Sequence, residues 1–310
     1  MDGNENIIFA ELMRIPGALV VYRKPSERKK NADKLILKNK NLEIMPLLEG
    51  EENLKLLNLQ GNKIKKIENL VSLPSLLYLD LFDNQISEIG ELTKVGTLKM
   101  LMIGKNLIKR IKGLENLTKL NGLDLHANQI QKIENISHLR ELEQLNLSQN
   151  SIAGIENLKD LANLTELNLS RNRIEMVTGL SDVPLLQKLF LSENRIKDTD
   201  KLRGLRDCKQ LTELTLDKNP IGTTEKYLNF VSEAIPKLKM IDGQWVSEFK
   251  TSGEETKVAA ESDPAFDEDM SSPGLVLVIK NEWEREMKRI KENGLNGYKR
   301  KKEGKHDSLV

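Results

Sequence analysis

Apolar and polar positions alternate in short runs along most of this chain, and the runs return at a fixed pitch. Leu54-Leu57-Leu59-Asn62-Ile64, Leu120-Leu123-Leu125-Asn128-Ile130 and Leu142-Leu145-Leu147-Asn150-Ile152 are three copies of one unit. Leu164-Leu167-Leu169-Asn172-Ile174 and Leu211-Leu214-Leu216-Asn219-Ile221 are two more. The Leu-x-Leu alternation places two leucines on one face of a short strand. The asparagine then follows at the turn leaving that strand. Asn62, Asn84, Asn106, Asn128, Asn150, Asn172, Asn194 and Asn219 are separated by six intervals of 22 residues and a last one of 25.

A period in this range with leucines around an asparagine defines a leucine-rich repeat solenoid, an α/β class of fold. Stacked copies predict a curved parallel sheet on the concave side. The asparagine amide, with two donors and an acceptor, is placed to satisfy backbone groups at each turn and to stack into a ladder. About ten residues remain for each return path, which predicts short 3₁₀ or one-turn helices on the convex side. The three extra residues of the long interval fall around Arg206-Asp207-Cys208-Lys209, as a loop on the convex side.

An open solenoid requires a cap at each end. Residues 1–34 form the expected N-terminal cap segment, in which Arg14–Tyr22 is a turn followed by an edge strand. Leu35-x-Leu37 begins a degenerate first repeat, with Lys40 where asparagine is expected. Residues 35–245 are the solenoid with its C-terminal cap. There a helix from Thr224-Glu225 presents Tyr227, Phe230, Val231 and Ile235, Pro236 stops it, and Trp245 is expected to cover the last repeat. Residues 246–274 are a flexible acidic linker by composition, and 275–310 an amphipathic helix with a basic tail. Val276, Ile279, Trp283, Met287 and Ile290 make one apolar stripe, and Lys299–Lys302 is the basic run. The helix either folds back or docks on a partner; a tether favours docking.

The strand register makes the concave surface readable in columns. Leu56, Tyr78, Met100, Gly122, Gln144, Glu166, Lys188 and Glu213 form one. Asn58, Asp80, Met102, Asp124, Asn146, Asn168, Phe190 and Thr215 form the next, and Gln60, Phe82, Gly104, His126, Ser148, Ser170, Ser192 and Asp217 the third. Leu56, Tyr78, Phe82, Met100 and Met102 cluster, although aromatics are only 4% of the chain. Apolar patches rimmed by polar groups mark interaction sites. These five residues, with Phe190 and the tail's Trp283 and Met287, are the expected partner-binding residues.

Composition removes other classes. Charged residues are 31% of the chain yet sum to +1, so bulk charge makes no case for nucleic acid or membrane surfaces. One cysteine excludes a disulfide framework, and three histidines with one cysteine make no zinc constellation. No apolar run is long enough to span a bilayer, and the acidic start is unlike a secretory signal, which points to the cytoplasm. No phosphate-binding loop occurs. The expectation is a non-enzyme without cofactor, metal site or nucleic-acid partner.

The repeat resembles the phosphatase-regulator subclass of leucine-rich repeats, which shares the 22-residue unit with isoleucine after the asparagine. RIPGALVVYRKPSERKKNADKLILKNKNLEIMPLLEGEENLKLLNLQGNKI, followed by LDLFDNQISEI, MLMIGKNLIKRIKGLENL and LDLHANQIQKIENI, resembles leucine-rich-repeat subunits of the neuronal tubulin polyglutamylase complexes. That likeness runs through most of residues 12–245, and the non-repeat RIPGALVVYR carries most of its specificity. It implies a non-catalytic scaffold at centriolar satellites, basal bodies or cilia. Its partners would be the other complex subunits, including a tubulin-tyrosine-ligase-like enzyme, with tubulin met indirectly. A phosphatase regulatory subunit and an axonemal leucine-rich-repeat adaptor are the alternatives.

Overall fold

In a computed structural model of the chain, residues 7–11, 19–222 and 225–246 are described. They fall within the first of two units into which the chain divides, Met1–Lys257. Trp283, Met287, the linker beyond Val246 and the basic run lie outside the described residues, as does the stretch 14–18 in which the turn was expected.

A small N-terminal sheet comes first. It contains β1 (Ile7–Glu11), β2 (Leu19–Arg23) and β4 (Leu47–Leu48), in the order β1-β2-β4. Thus β2 is the central strand, not the expected edge. It pairs antiparallel with β1 and parallel with β4. Helix α1 (Pro25–Lys30) follows β2, started by a proline whose missing N–H costs nothing in the first turn.

The main sheet has eleven strands. β3 (Lys34–Ile36) is one edge, followed by β5 (Leu56–Asn58), β6 (Tyr78–Asp80), β7 (Met100–Met102) and β8 (Gly122–Asp124). β9 (Gln144–Asn146), β10 (Glu166–Asn168), β11 (Lys188–Phe190) and β12 (Glu213–Thr215) continue it. After helix α2 (Glu225–Ala234), β13 (Met240–Ile241) and β14 (Gln244–Trp245) close the other end as an antiparallel pair. Every pairing from β3 to β13 is parallel and in register, so Leu57, Leu79, Leu101, Leu123, Leu145, Leu167, Leu189 and Leu214 form one inward column. Each of these is at most 1% exposed, and each adds about 1.5–3 kcal/mol of burial.

The asparagine ladder is present as expected. Asn106 Nδ2 donates to the carbonyls of Leu81 (3.0 Å), Ile103 (3.2 Å) and Gly104 (3.0 Å), and its Oδ1 accepts from Ile86 N at 2.9 Å. Asn84, Asn128, Asn150, Asn172 and Asn194 repeat the pattern, each accepting from the isoleucine that follows the preceding ladder residue. Each side chain thus ties two adjacent turns of backbone together.

The return side is more extended than expected. Among the described residues it carries 3₁₀ helix only at Leu92–Lys94, Leu180–Asp182 and Thr199–Asp207. The long Thr199–Asp207 run absorbs the three extra residues. It starts at Asp198, whose side chain accepts from Lys201 N. The return path of six repeats turns through a left-handed corner, which at Glu91 and Gly179 leads directly into a 3₁₀ helix. Asn69, Glu91, Gly113, Asn135, Asn157 and Gly179 all have positive φ there. Asn69, Asn135 and Asn157 each also donate Nδ2 to a carbonyl of the preceding turn at 2.7 Å. This second asparagine–glycine column has the same 22-residue spacing as the ladder and was visible in the sequence.

The C-terminal cap is the expected helix, with one difference. Tyr227, Val231 and Ala234 of that helix, with Ile235 and Leu238 after it, close the last repeat, while Trp245, expected to do so, is 51% exposed. In the strand pair at the end, Met240 faces Trp245 and Ile241 faces Gln244. At the N-terminal end a buried ion pair does part of the work. Arg23 Nε donates to Glu51 Oε1 at 2.8 Å and Nη2 donates to Oε2, while Nη1 donates to the carbonyls of Asn31 (2.6 Å) and Lys34 (2.9 Å). Arg23 thereby joins the small sheet, the end of α1 and the first solenoid strand.

Candidate interaction surface

Parallel pairing in register sets the outward residues of β5–β12 in the three expected columns. Their middle column has a structural duty that the sequence reading treated as free surface. Asn58 Oδ1 accepts from Gln60 N at 2.9 Å, Asp80 Oδ1 from Phe82 N at 3.0 Å, and Asp124 Oδ1 from His126 N at 3.0 Å. Asn146 and Asn168 accept likewise from Ser148 and Ser170. A short polar side chain here satisfies an N–H two residues on, where the strand ends. Met102, Phe190 and Thr215 leave the pattern.

The expected apolar patch is a packed layer more than an open one. Leu56, Met102 and Phe190 are partly exposed, but Tyr78 (8%), Phe82 (7%) and Met100 (3%) are buried. Glycines make room for this layer. A Cβ on Gly122 would lie 2.3 Å from Met100 Sδ, so Met100 lies across Gly122. A Cβ on Gly104 would lie 2.4 Å from His126 Nδ1, so the imidazole lies over Gly104. There it stacks on Phe82, with centroids 5.4 Å apart and planes inclined by 22°. Asp124 Oδ1, 2.7 Å from His126 Nδ1, orients the ring. Lys105 Nζ sits 5.9 Å from the Phe82 centroid and 3.4 Å from Asp83.

Electrostatics are concentrated in the same place. Burial pushes the Asp80 carboxyl up to about 6; its Phe82 hydrogen bond opposes this, the Asp124 charge adds to it and Lys38 opposes it. Further along, Lys188 lies 3.9 Å from Glu166 and 3.6 Å from Glu213. Burial also raises Glu166. Across the eight full repeats the outward columns hold five acids (Asp80, Asp124, Glu166, Glu213, Asp217) and one lysine. Asp124 beside His126 is the sole carboxylate–imidazole contact among the described residues, and no group of His, Cys, Asp or Glu there could hold a metal ion. Cys208 is buried, with its thiol pushed up to about 12 by that burial. No described helix is long and apolar enough to cross a membrane.

This architecture, an uninterrupted parallel solenoid with a polar-capped sheet face, defines a leucine-rich repeat protein, the class of fold used for binding other proteins. Two family patterns agree. One described as "Leucine-rich repeat" matches residues 114–262, and one described as "Leucine Rich repeats (2 copies)" matches residues 52–94.

Among characterised proteins the chain is similar to leucine-rich repeat-containing protein 49. It is 41% identical to the Mus musculus protein over 63 residues, 20% of this chain and 9% of the relative. To the Homo sapiens protein it is 36% identical over 72 residues, 23% of this chain and 10% of the relative. The matched stretch is thus about a tenth of these relatives' length. Among solved structures, a leucine-rich repeat protein of Leptospira interrogans aligns with TM-score 0.56 and 26% identity, covering 64% of this chain and 52% of that one. An internalin of Listeria monocytogenes aligns with TM-score 0.54 and 28% identity, covering 62% and 55%.

Proposed function

We propose that this chain is a non-catalytic scaffold subunit of a tubulin polyglutamylase complex, acting in the cytoplasm at centriolar satellites, basal bodies or cilia. The observation carrying this reading is the likeness of the non-repeat segment RIPGALVVYR and the first repeats to subunits of such complexes. The solenoid supports it as a fold for binding proteins, and its sheet face groups Leu56, Tyr78, Phe82, Met100 and Met102 beside acids. The enzyme of the complex, a tubulin-tyrosine-ligase-like protein, would supply the chemistry; this subunit holds partners in place. The phosphatase-regulator reading has less behind it, since aromatic side chains in the outward columns are confined to Tyr78, Phe82 and Phe190.

The test is affinity purification of the tagged full chain from ciliated cells, with partners identified by mass spectrometry. Stoichiometric recovery of a tubulin-tyrosine-ligase-like enzyme with companion subunits is expected. A phosphatase catalytic subunit in its place would overturn the reading.

A further inference from the structure

Overall charge conceals an uneven distribution. Residues 19–112 contain 18 lysines and arginines against 11 acids, whereas residues 113–246 contain 17 against 19. Part of the positive excess is gathered on the flank of the solenoid where the chain leaves each ladder asparagine. There each turn is tied to the one before it. Gln85 N donates to Ile64 O at 2.9 Å, and Leu107 N to Ile86 O, Gln129 N to Ile108 O and Ser151 N to Ile130 O at 2.8 Å. Ile64, Ile86, Ile108, Ile130 and Ile152 point inward, each 0% exposed, so the residues on either side of each one point out. They form five stacked pairs: Lys63 and Lys65, Gln85 and Ser87, Leu107 and Lys109, Gln129 and Gln131, Ser151 and Ala153. All but the half-buried Ser151 are exposed. No acid stands at these ten positions, although the chain holds 47; Glu43 and Glu175 bound the run in the turns before and after.

Neighbouring cations are already committed. Arg110 donates twice to Glu134, Lys112 lies 3.1 Å from Glu88, and Lys105 lies 3.4 Å from Asp83. By contrast Lys63, Lys65, Lys66 and Lys109 have no carboxylate within ion-pair distance among the described residues; Glu68, close by in sequence, is half-buried. Four exposed amines without carboxylates attract an anion. Spacing and side-chain type decide which. Neighbouring pairs repeat at about 4.8 Å, the interval between strands, so Lys65 and Lys109, two pairs apart, stand about 10 Å from each other. A polyproline II segment rises about 3.1 Å per residue with three residues per turn, so its acids three residues apart share one side at about 9 Å. Such a segment has no internal hydrogen bonds, and the amides of Gln85, Gln129 and Gln131 can bond to its backbone. Leu107, 44% exposed beside Lys109, offers contact to an apolar side chain. Nucleic acid fits less well. A duplex carries a charge about every 1.7 Å, far denser than these amines, and none of the five pairs has an aromatic ring for a base to stack on.

We propose that the flank from Lys63 to Gln131 is a docking track for an extended partner-protein segment with acids three residues apart. Two of its carboxylates pair with Lys65 and Lys109, with Lys63 and Lys66 beside the first. Gln85 and Gln129 bond to its backbone, and an apolar side chain next to the second acid covers Leu107. Every one of these groups is reached from solvent without moving a buried residue. Docking of this kind is independent of which complex the chain joins.

The test uses the full chain and three fluorescein-labelled probes: a peptide of Glu-Pro-Leu repeats, its counterpart with Gln at every Glu, and a duplex oligonucleotide of matched length. Fluorescence anisotropy should show saturable binding of the Glu peptide, weakened severalfold as salt rises from about 50 to about 300 mM, and none of the Gln peptide. Lys65→Gln combined with Lys109→Gln should weaken the Glu peptide roughly tenfold and leave thermal stability unchanged, since both side chains are exposed. Lys159→Gln combined with Lys209→Gln removes the same charge away from the track and should change affinity less than about twofold. Four results would overturn the proposal: no saturable binding of the Glu peptide, equal binding of the Gln peptide, an equal loss from the Lys159 and Lys209 changes, or tighter binding of the oligonucleotide. The last would make the flank a nucleic-acid surface. Sedimentation velocity covers the remaining occupant, since a dimer dispersed by the Glu peptide would assign the flank to a second copy.

Discussion

Replacing Asn106 by alanine isolates what one rung of the ladder contributes. Ile86 N donates to Asn106 Oδ1 at 2.9 Å, and Ile86 is 0% exposed. Alanine removes that acceptor, and water cannot replace it without opening the turn. The three carbonyls fare better. Leu81 O keeps Asn84 Nδ2 at 3.1 Å, Ile103 O keeps Asn128 Nδ2 at 3.1 Å, and Gly104 O keeps Asp83 N at 3.1 Å. The loss is therefore one orphaned buried N–H, about 1–3 kcal/mol, plus roughly 1 kcal/mol for donor bonds whose acceptors stay satisfied. Asn106→Ala should destabilise the chain by about 2–4 kcal/mol. Asn106→Asp sharpens the argument, since it keeps the acceptor for Ile86 N but points an anionic oxygen at three carbonyls. At neutral pH it should cost at least as much as alanine, and part of the loss should return when acid protonates the new carboxyl. Urea denaturation followed by circular dichroism measures both, with exposed Lys109→Ala as a control expected within about 0.5 kcal/mol of the parent. An Asn106→Ala cost below about 0.5 kcal/mol would refute the orphaned-donor reasoning.

Other outcomes follow from the same geometry. Glu51→Gln leaves the Arg23 guanidinium buried without its carboxylate and should cost about 3–5 kcal/mol in the same denaturation assay. Gly104→Ala drives a Cβ into the space of the His126 ring; His126 should swing off Phe82, seen as a changed imidazole environment by NMR with the solenoid intact. Asp80 is raised to about 6 in the fold against 3.8 as its reference, so the native state holds more protons than the unfolded state between those values. Its favourable contribution is complete below about pH 4 and is lost as pH rises through about 6. Parent stability relative to Asp80→Asn should accordingly fall by about 1–3 kcal/mol over that window, and a flat difference would show the carboxyl to be ordinary. Cys208, buried and with its thiol far above neutral pH, should react with iodoacetamide only at the rate of unfolding; rapid labelling of folded protein would contradict its placement.

What the sequence made legible was whatever repeats. The inward leucines and the Asn62–Asn219 ladder recur with one spacing, so each copy confirms the others. The second column, Asn69, Gly113, Asn135, Asn157 and Gly179, recurs just as regularly, yet it marks a backbone angle and not a side-chain face, and a search for apolar alternation passes over it. Asn58, Asp80, Asp124, Asn146 and Asn168 were read as display positions because they point outward; their bonds to the residue two ahead show them to be turn-closing groups as well. Features that do not repeat were out of reach. Arg23 and Glu51 are 28 residues apart with no pattern to join them. The layering of Met100 on Gly122 and His126 on Gly104 depends on side-chain rotamers across strands, which turned an expected open patch into a mostly buried one.

The ladder also sets a rule for how such a chain can change in length. Asn150 Nδ2 donates to Leu125 O, 25 residues back, and its Oδ1 accepts from Ile130 N, 20 back. Excising residues 107–128 would bring Ile103 O to Asn150 in place of Leu125 O, with Ile130 N untouched and all the strands still in register. Excising one residue more or fewer would break the bonds of a rung and turn an inward leucine outward. Within the strand and ladder segments, insertions and deletions are therefore quantised at whole turns, while the return path tolerates the three extra residues near Thr199–Asp207. Lineages carrying this architecture should differ by complete turns, and each turn added or removed changes the row of outward residues without disturbing the frame beneath it.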